Sequence, residues 1–168
     1  ETARSLGAHH ILKRPHAGLA GAFSAGLDEC LRLGADLIVN LDADNQYSAD
    51  DIPTLIAPVL SGEADITIGA RPIDHIRHFS SSKKLFQKIG SWVVRRASGT
   101  TVTDCTSGFR AISRRAAMQL NVFNDYTYTL EMIIQAGQKN MAVVSVPIRT
   151  NDYTRPSRLM KSTGAYVR

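Results

Sequence analysis

Residues 36–46 read DLIVNLDADNQ, and these eleven residues give the clearest indication of the fold class. The run from 36 to 41 is short and almost continuously apolar, which is typical of a strand covered on both faces. Residues 64–69, ADITIG, form a second run of the same kind. Apolar residues recur at helical spacing around both runs. Strands that alternate with helices predict an α/β domain, with a mostly parallel sheet and helices on both of its faces.

The other elements follow from apolar periodicity and from glycine and proline punctuation. Helices are predicted at residues 18–33, 48–60, 83–97, 114–120 and 128–138, after a first helix that Gly7 stops. Further strands are predicted at residues 9–13, 108–113 and 141–148, and a loop at 72–82. A capping box from Ser48 to Asp51 is expected to start the second of these helices, and Pro58 to bend it.

The bulk composition describes one ordinary globular domain of 168 residues. A formal net charge of +5 suits an anionic partner: a phosphorylated substrate, a nucleic acid or an acidic membrane. A nucleic-acid module is not expected, because only 7% of the residues are aromatic and no basic-aromatic platform is visible. Cys30 and Cys105 are interpreted as two reduced thiols. No apolar run approaches the ~20 residues of a membrane helix, so any membrane contact by these residues is expected to be peripheral.

Three oxygen-bearing side chains follow the first buried strand: Asp42, Asp44 and Gln46. If the backbone stays extended, they face one crevice at the carboxyl end of the strand, where open α/β sheets bind ligands. Mg²⁺ and Mn²⁺ accept such ligands and take their remaining oxygens from water and phosphates. The alternative is a turn that only caps the next helix. A calcium-binding EF-hand loop is excluded, because Tyr47 and Pro53 occupy the positions of its required Gly and Glu.

A cation follows the second buried strand. Arg71 stands at the position where a guanidinium could clamp phosphate oxygens, although a lone arginine there is more often solvated. Two neighbouring strands that end in a carboxylate pair and a cation favour a phosphate site. The glycine-rich residues 18–26 match no phosphate-binding loop and are expected to let a helix pack closely on the sheet.

The helix at 83–97 has two faces of different chemistry. Its apolar stripe consists of Leu85, Ile89, Trp92 and Val93, and its basic stripe of Lys84, Lys88 and Arg95. Each such cation is worth about 1 kcal/mol near an anionic bilayer, so the pattern is consistent with peripheral membrane contact. A core-packed helix with a solvated basic face explains the same pattern equally well.

Four ordered blocks together resemble the family 2 glycosyltransferases, and most closely the branch of dolichyl- and polyprenyl-phosphate sugar synthases. The blocks are residues 36–71, DCTSGFRAISRRAA at 104–117, YTYTLEMIIQAG at 126–137 and RPSRL at 155–159. The likeness runs from about residue 4 to residue 168. A bare Asp-x-Asp is not specific, but the four blocks in this order are.

The resemblance implies a GT-A fold, a nucleotide-diphosphate sugar donor, Mg²⁺ or Mn²⁺, and inversion at the anomeric carbon. The metal ligands that it implies are Asp42, Asp44 and Gln46. The substrate-binding positions are Asp42, Ala43, Asp44, Gln46, Arg71, Ser107, Arg155 and Arg158. The loop that carries the last two arginines is shorter than is usual for the family, and Arg158 stands where Lys is common.

The likeness also implies missing parts. The family opens with two strands that bind the nucleotide, and neither strand precedes Glu1. The first residue of the sequence is also not Met. Many relatives continue into membrane helices after a segment like residues 165–168. We therefore expect residues 1–168 to be a single catalytic domain truncated at both ends, without its N-terminal strands. The full-length protein is expected to be membrane-associated on the cytoplasmic side.

The expected chemistry is stabilisation of a leaving diphosphate by the metal, Arg71 and Arg155. A lipid-linked phosphate acceptor needs no strong base, whereas a sugar hydroxyl does. Asp104 is the candidate for an acceptor-side role, with loop bracing as the alternative, and Glu131 is interpreted as pinning its helix to the sheet. A lipid phosphate is the favoured acceptor. The alternatives are a saccharide hydroxyl acceptor and a non-catalytic remnant that binds nucleotide sugar.

Overall fold

The computed structural model describes residues 2–72, 81–123 and 128–151, and within these only the backbone of residues 81–88. Its helices are α1 (Thr2–Ser5), α2 (Gly18–Arg32), α3 (Ile52–Leu60), α4 (Ser81–Ser98), α5 (Arg114–Ala117) and α6 (Thr129–Gln138). A 3₁₀ turn at Ala49–Asp51 precedes α3. The strands are β1 (Leu37–Asn40), β2 (Ile66–Ala70), β3 (Arg110–Ser113) and β4 (Val143–Pro147). These elements confirm all the predicted helices and four of the five predicted strands.

The strand predicted at residues 9–13 is wrong. These residues have no regular structure, and all of them except Ile11 are exposed. A strand is held by a hydrogen-bonded partner and by burial of at least one face, and this segment has too little apolar surface to bury. The loop predicted at 72–82 lies mostly outside the described residues.

Only one of the two contacts of the predicted capping box is present. The Ser48 hydroxyl accepts a hydrogen bond from the backbone N–H of Asp50 at 3.3 Å, so the serine does cap the turn. Asp51 does not return the contact, because its carboxylate binds Arg149 instead. A distant cation therefore replaces the local partner that a capping box uses.

The sheet is mixed rather than mostly parallel in its pairing. Its strand order is β1-β3-β2-β4, with β3 antiparallel to both neighbours and β2 parallel to β4. β1, β2 and β4 point the same way, as predicted. The direction of β3 is reversed because residues 104–109 bring the chain back to the carboxyl ends of β1 and β2 before β3 begins. Arg110, the first residue of β3, consequently lies opposite Asn40 and Ile68 near those ends.

Helices cover both faces of the sheet, as predicted. On one face Ile38, Ile66 and Ile112 pack in a large cluster with residues of α2, α4 and α6. On the other face Ala111 packs with Leu55 of α3 and with two aromatic side chains in a smaller cluster. Alternate residues of each strand point to opposite faces, so four short strands supply both cores. Within the described part of the chain, no helix has the length and apolar character needed to cross a membrane.

Candidate active site

The loop that follows β1 is a tight turn and not an extension of the strand. Residues 43 and 44 form the turn, and Asn45 adopts a left-handed conformation with φ of 61°. The Asp44 carboxylate accepts a hydrogen bond from the backbone N–H of Gln46 at 3.0 Å. The extended backbone assumed for residues 42–46 is therefore wrong. Any convergence of Asp42, Asp44 and Gln46 depends on this turn, because side-chain alternation ends with the strand.

Asp42 lies directly against the backbone of Gly108. A Cβ atom placed on Gly108 would stand 2.7 Å from the Asp42 carboxylate oxygen and 3.3 Å from the Tyr128 hydroxyl. The Asn40 side-chain amide donates to the Gly108 carbonyl and to the Tyr128 hydroxyl, both at 2.7 Å. The Gly108 N–H donates to the Tyr47 hydroxyl at 3.3 Å. A buried polar network thus joins the end of β1 to the residues that precede β3.

The electrostatics of Asp42 are those of a carboxylate held near another. Burial raises its pKa, the charge of Asp44 raises it further, and the charges of Arg71 and Arg110 oppose both effects. Two hard oxygen donors that repel each other are a suitable pair for a divalent cation. The described residues hold no group of three or more His, Cys, Asp or Glu side chains that could bind a metal. Two carboxylates and the Gln46 amide fit the protein share of a Mg²⁺ or Mn²⁺ site, which leaves positions for phosphate and water.

Arg71 and Asp104 form a buried ion pair at the end of β2. The Arg71 Nε and Nη2 atoms lie 2.7 and 2.9 Å from the two Asp104 carboxylate oxygens, and Nη2 also donates to the Thr106 hydroxyl at 2.7 Å. Burial by itself raises the pKa of Asp104. The hydrogen bonds and charge of Arg71, together with the Thr106 hydroxyl, outweigh burial and leave the pKa below its usual value. Asp104 is therefore a weak base that holds a guanidinium in place.

A second arginine supports the same loop from inside the protein. Arg110 is 0% exposed, and its guanidinium donates at 2.9 Å to the carbonyl oxygens of Ser107 and Cys105. It lies 5.8 Å from the centre of the Tyr128 ring. Burial lowers the pKa of Arg110, but a guanidinium remains charged at neutral pH. This internal cation fixes the path of residues 105–108 beneath Asp42.

Two tyrosines complete the inner wall of the site. Tyr128 stacks on Phe23 of α2, with ring centroids 3.8 Å apart. Burial raises the pKa of Tyr128 to about 12, so its hydroxyl stays protonated at neutral pH. Burial also raises the pKa of Tyr47. Neither tyrosine, nor Gly108 or Arg110, was predicted as a site residue. The only signal for these four was their place in the quoted blocks at 36–71, 104–117 and 126–137.

The structure places the predicted site residues in different surroundings. Arg71 pairs with Asp104, and Asp42 lies against Gly108 of the loop that carries Asp104. Ser107 is fully buried, and its hydroxyl accepts from the Phe109 N–H at 3.4 Å, which favours loop bracing over substrate contact. Ala43 is exposed beside the turn. Arg155 and Arg158 lie outside the described residues.

Glu131 binds the loop that precedes its helix. Its carboxylate accepts hydrogen bonds from the Phe123 N–H at 3.0 and 3.3 Å, which ties α6 to that loop. The predicted contact of Glu131 with the sheet stays a prediction.

Comparison with known proteins identifies relatives of this chain. The model of Glycosyl transferase family 2 matches residues 3–120. The UDP-N-acetylglucosamine–dolichyl-phosphate N-acetylglucosaminyltransferase of Methanococcus voltae is 33% identical over 147 residues, which are 83% of this chain and 58% of that protein. The polyprenol monophosphomannose synthase of Mycolicibacterium smegmatis is 28% identical over 166 residues, 95% of this chain and 62% of the relative. The chain thus spans about three-fifths of these relatives.

The fold also matches a solved structure. Glucosyl-3-phosphoglycerate synthase from Mycobacterium tuberculosis, in complex with Mn²⁺, uridine diphosphate and phosphoglyceric acid, superimposes with a TM-score of 0.63 at 19% identity. The likeness covers 87% of this chain and 49% of that one. At this identity it establishes the fold, which is GT-A-like α/β with a mixed sheet.

Proposed function

This chain belongs to Glycosyl transferase family 2. We propose that it is part of an enzyme that moves a sugar from a nucleotide-diphosphate donor to a polyprenyl phosphate, with inversion at the anomeric carbon. The proposal rests on one observation. The loop of residues 104–108 connects the ends of β1 and β2, because Gly108 lies against Asp42 while Asp104 and Thr106 bind Arg71. The acidic turn and Arg71 therefore lie at the same edge of the sheet. Open α/β sheets bind their ligands outside this edge.

Asp42, Asp44 and Gln46 are the residues proposed to hold Mg²⁺ or Mn²⁺. When bound, the ion supplies charge stabilisation to a leaving diphosphate. The protein supplies a positive charge of its own through Arg71, whose geometry is fixed before substrate arrives. A preorganised donor of this kind typically contributes ~10²–10³ in rate, because the protein does not have to reorganise during the reaction. Ala43, within the turn, and Arg155 and Arg158, further along the chain, are proposed to contact the donor.

Asp104 is proposed to act through Arg71 and not as a base. Its pKa lies below the usual value and its two oxygens already accept hydrogen bonds from Arg71, so it is poorly suited to take a proton from an acceptor. A phosphate acceptor is already an anion at neutral pH and needs no such base. The ion pair therefore supports a phosphate acceptor over a sugar hydroxyl.

The names of the relatives support the same class of acceptor. Dolichyl phosphate appears in the name of the Methanococcus voltae relative, and polyprenol in that of the Mycolicibacterium smegmatis relative. An acceptor of this kind is anchored in a bilayer, so the protein is proposed to work at a membrane, on its cytoplasmic side.

Helix α4 offers a surface for that contact. Trp92 is 58% exposed, and Ile89 and Val93 are also exposed, while Ser91 and Val94 face the interior. The core-packed interpretation of this apolar stripe is thus wrong for its described members. Arg95 is partly turned inward and donates to the Val102 carbonyl at 3.1 Å. The sequence of α4 contains five cations and no acidic residue, which complements an anionic lipid surface.

Trp92 allows a direct test of this surface, since it is the one tryptophan of the 168 residues. Its fluorescence is expected to shift to shorter wavelength when vesicles containing phosphatidylserine are added, and to stay unchanged with neutral vesicles. If the emission wavelength of Trp92 changes with neither kind of vesicle, α4 is not a membrane-contact surface.

The enzyme activity is tested by incubating the protein with labelled nucleotide sugars and polyprenyl phosphate. A labelled lipid product that requires Mg²⁺ or Mn²⁺ is expected. Asp44→Asn should abolish it while circular dichroism shows an unchanged fold. Normal turnover by this variant would refute the metal assignment. Transfer to saccharides with none to lipid phosphate would favour the hydroxyl-acceptor alternative.

A further inference from the structure

We propose that Asn151 is a positioning residue that holds the turn of residues 42–47 in its metal-binding conformation. The inference rests on the proposed function, because it concerns the same Asp42, Asp44 and Gln46 set. It goes beyond that function by assigning a role to a side chain 106 positions further along the chain.

The contacts of Asn151 converge on one short piece of backbone. Its N–H donates to the Gln46 carbonyl at 2.9 Å. Its side-chain amide donates to the carbonyls of Asn45 at 3.1 Å and Tyr47 at 3.3 Å, and approaches the Asn45 side-chain oxygen at 3.4 Å. Three consecutive carbonyl groups thus point at a single residue. The bridge between Tyr47 and Thr150 extends the pairing by one position.

The turn has a reason to need such a partner. Asn45 occupies the left-handed region, which Asn tolerates better than most L-residues but which is still less favourable than the right-handed region. The internal hydrogen bond from the Gln46 N–H to the Asp44 carboxylate would compete with a metal for that carboxylate. This bond alone would therefore not keep the turn in the same conformation once a metal is bound. By fixing the peptide planes on both sides of Gln46, Asn151 sets the direction in which the Gln46 side chain leaves the backbone.

Asn151 can hold the turn because the chain just before it is anchored. Asp51 accepts from the Arg149 N–H at 2.6 Å and from its Nε and Nη2 atoms at 2.9 and 2.7 Å. Ile148 is buried in the core beside α3, and its N–H donates to the Ala70 carbonyl at the end of β2. Residues 148–149 are therefore fixed to the sheet and to the start of α3, and residue 151 extends from this support onto the turn.

The test measures the affinity of the protein for Mn²⁺ in the presence of uridine diphosphate, by electron paramagnetic resonance. Asn151→Ala is expected to weaken Mn²⁺ binding about tenfold or more, as loss of a residue that orients metal ligands commonly does. Asn151→Gln keeps the amide donor and should recover part of the affinity. Because the side chain is exposed, neither variant should lower the unfolding temperature measured without metal by more than a degree or two.

Two controls make the result decisive. Asn121→Ala changes another exposed asparagine, whose described hydrogen bonds come from its backbone, and should leave Mn²⁺ affinity unchanged. Asp44→Asn should lose Mn²⁺ binding. If Asp44→Asn loses binding while Asn151→Ala binds like the unaltered protein, the role of Asn151 is overturned and the metal site stands. If Asp44→Asn itself binds Mn²⁺ normally, the proposed metal site fails and this inference fails with it.

Discussion

Arg71 and Asp104 form a two-point ion pair between the end of β2 and the loop that leads into β3, with Nε to Oδ2 at 2.7 Å. Their side chains are 7% and 2% exposed. The pair joins positions 33 residues apart and orients the guanidinium at the edge of the sheet where the acidic turn also lies. The backbone N–H of Arg71 adds a third contact to the same carboxylate, at 3.3 Å.

Asp104→Asn is expected to destabilise the protein in a pH-dependent way. At neutral pH the free energy of unfolding should fall by about 3 kcal/mol, because a buried guanidinium loses its counter-charge. The native pKa of Asp104 is depressed, so its stabilisation is fully present above the unfolded pKa of about 3.9 and is lost as the pH falls through the lower native pKa. Urea unfolding at several pH values should show the difference between variant and unaltered protein shrinking below about pH 4.

Asp28→Asn, an exposed position on α2, provides the control and should change stability little at any pH. A destabilisation by Asp104→Asn that stays constant from neutral to acid pH would contradict the assignment.

Gly108→Ala is expected to weaken Mn²⁺ binding while leaving the stability of the protein nearly unchanged. The new methyl group would stand 2.7 Å from the Asp42 carboxylate, and that carboxylate is the movable end of a side chain. Asp42 should therefore swing away, so that Mn²⁺ affinity falls about tenfold while stability changes by less than about 1 kcal/mol. Gly26→Ala, where nothing lies within 4 Å of the added atom, is the matched control. Unchanged Mn²⁺ affinity in Gly108→Ala would show that Asp42 is not a ligand.

Gly137→Ala is expected to weaken the packing of α6 against α4. A Cβ atom at Gly137 would overlap the carbonyl group of Ser98, whose carbon would lie only 2.6 Å away. Because the obstacle is backbone, the helices must separate, at a cost of about 1–3 kcal/mol or more. Gly90→Ala in α4 meets nothing within 4 Å and should be neutral or stabilising by up to about 1 kcal/mol. Denaturant unfolding of the two variants compares them directly, and equal effects would contradict the close approach.

Thr67→Val is expected to stabilise the protein. The Thr67 hydroxyl is buried in β2 and has no hydrogen-bond partner among the residues that the structure describes. Replacing it with a methyl group removes an unpaired polar atom and should raise the free energy of unfolding by about 1 kcal/mol. Thr100→Val provides the contrast, since the Thr100 hydroxyl bonds to Ser98 at 2.8 Å and its loss should destabilise. Thermal unfolding distinguishes the two, and a destabilised Thr67→Val protein would indicate a hidden partner for that hydroxyl.

The α/β class and the position of the acidic turn could be predicted from the amino-acid sequence alone. The apolar runs around residues 37–40 and 66–70 and the helical periodicity between them are local patterns, and local patterns specify strands and helices. The placement of Asp42 and Arg71 just after these strands followed directly, since both are adjacent in sequence to the strand ends.

The contacts that hold those residues in place could not be predicted in this way, because they depend on tertiary packing. The reversed direction of β3 brings Asp104 to Arg71 and Gly108 to Asp42, and the end of β4 brings Asn151 to Asn45. Such contacts depend on which strand pairs with which and in which direction, and no periodicity within a single segment carries that information. Local sequence spacing therefore predicts which chemical groups follow each strand, whereas long-range packing determines their partners. For this reason Asp104, expected to be an acceptor-side carboxylate, is instead the ion-pair partner of Arg71.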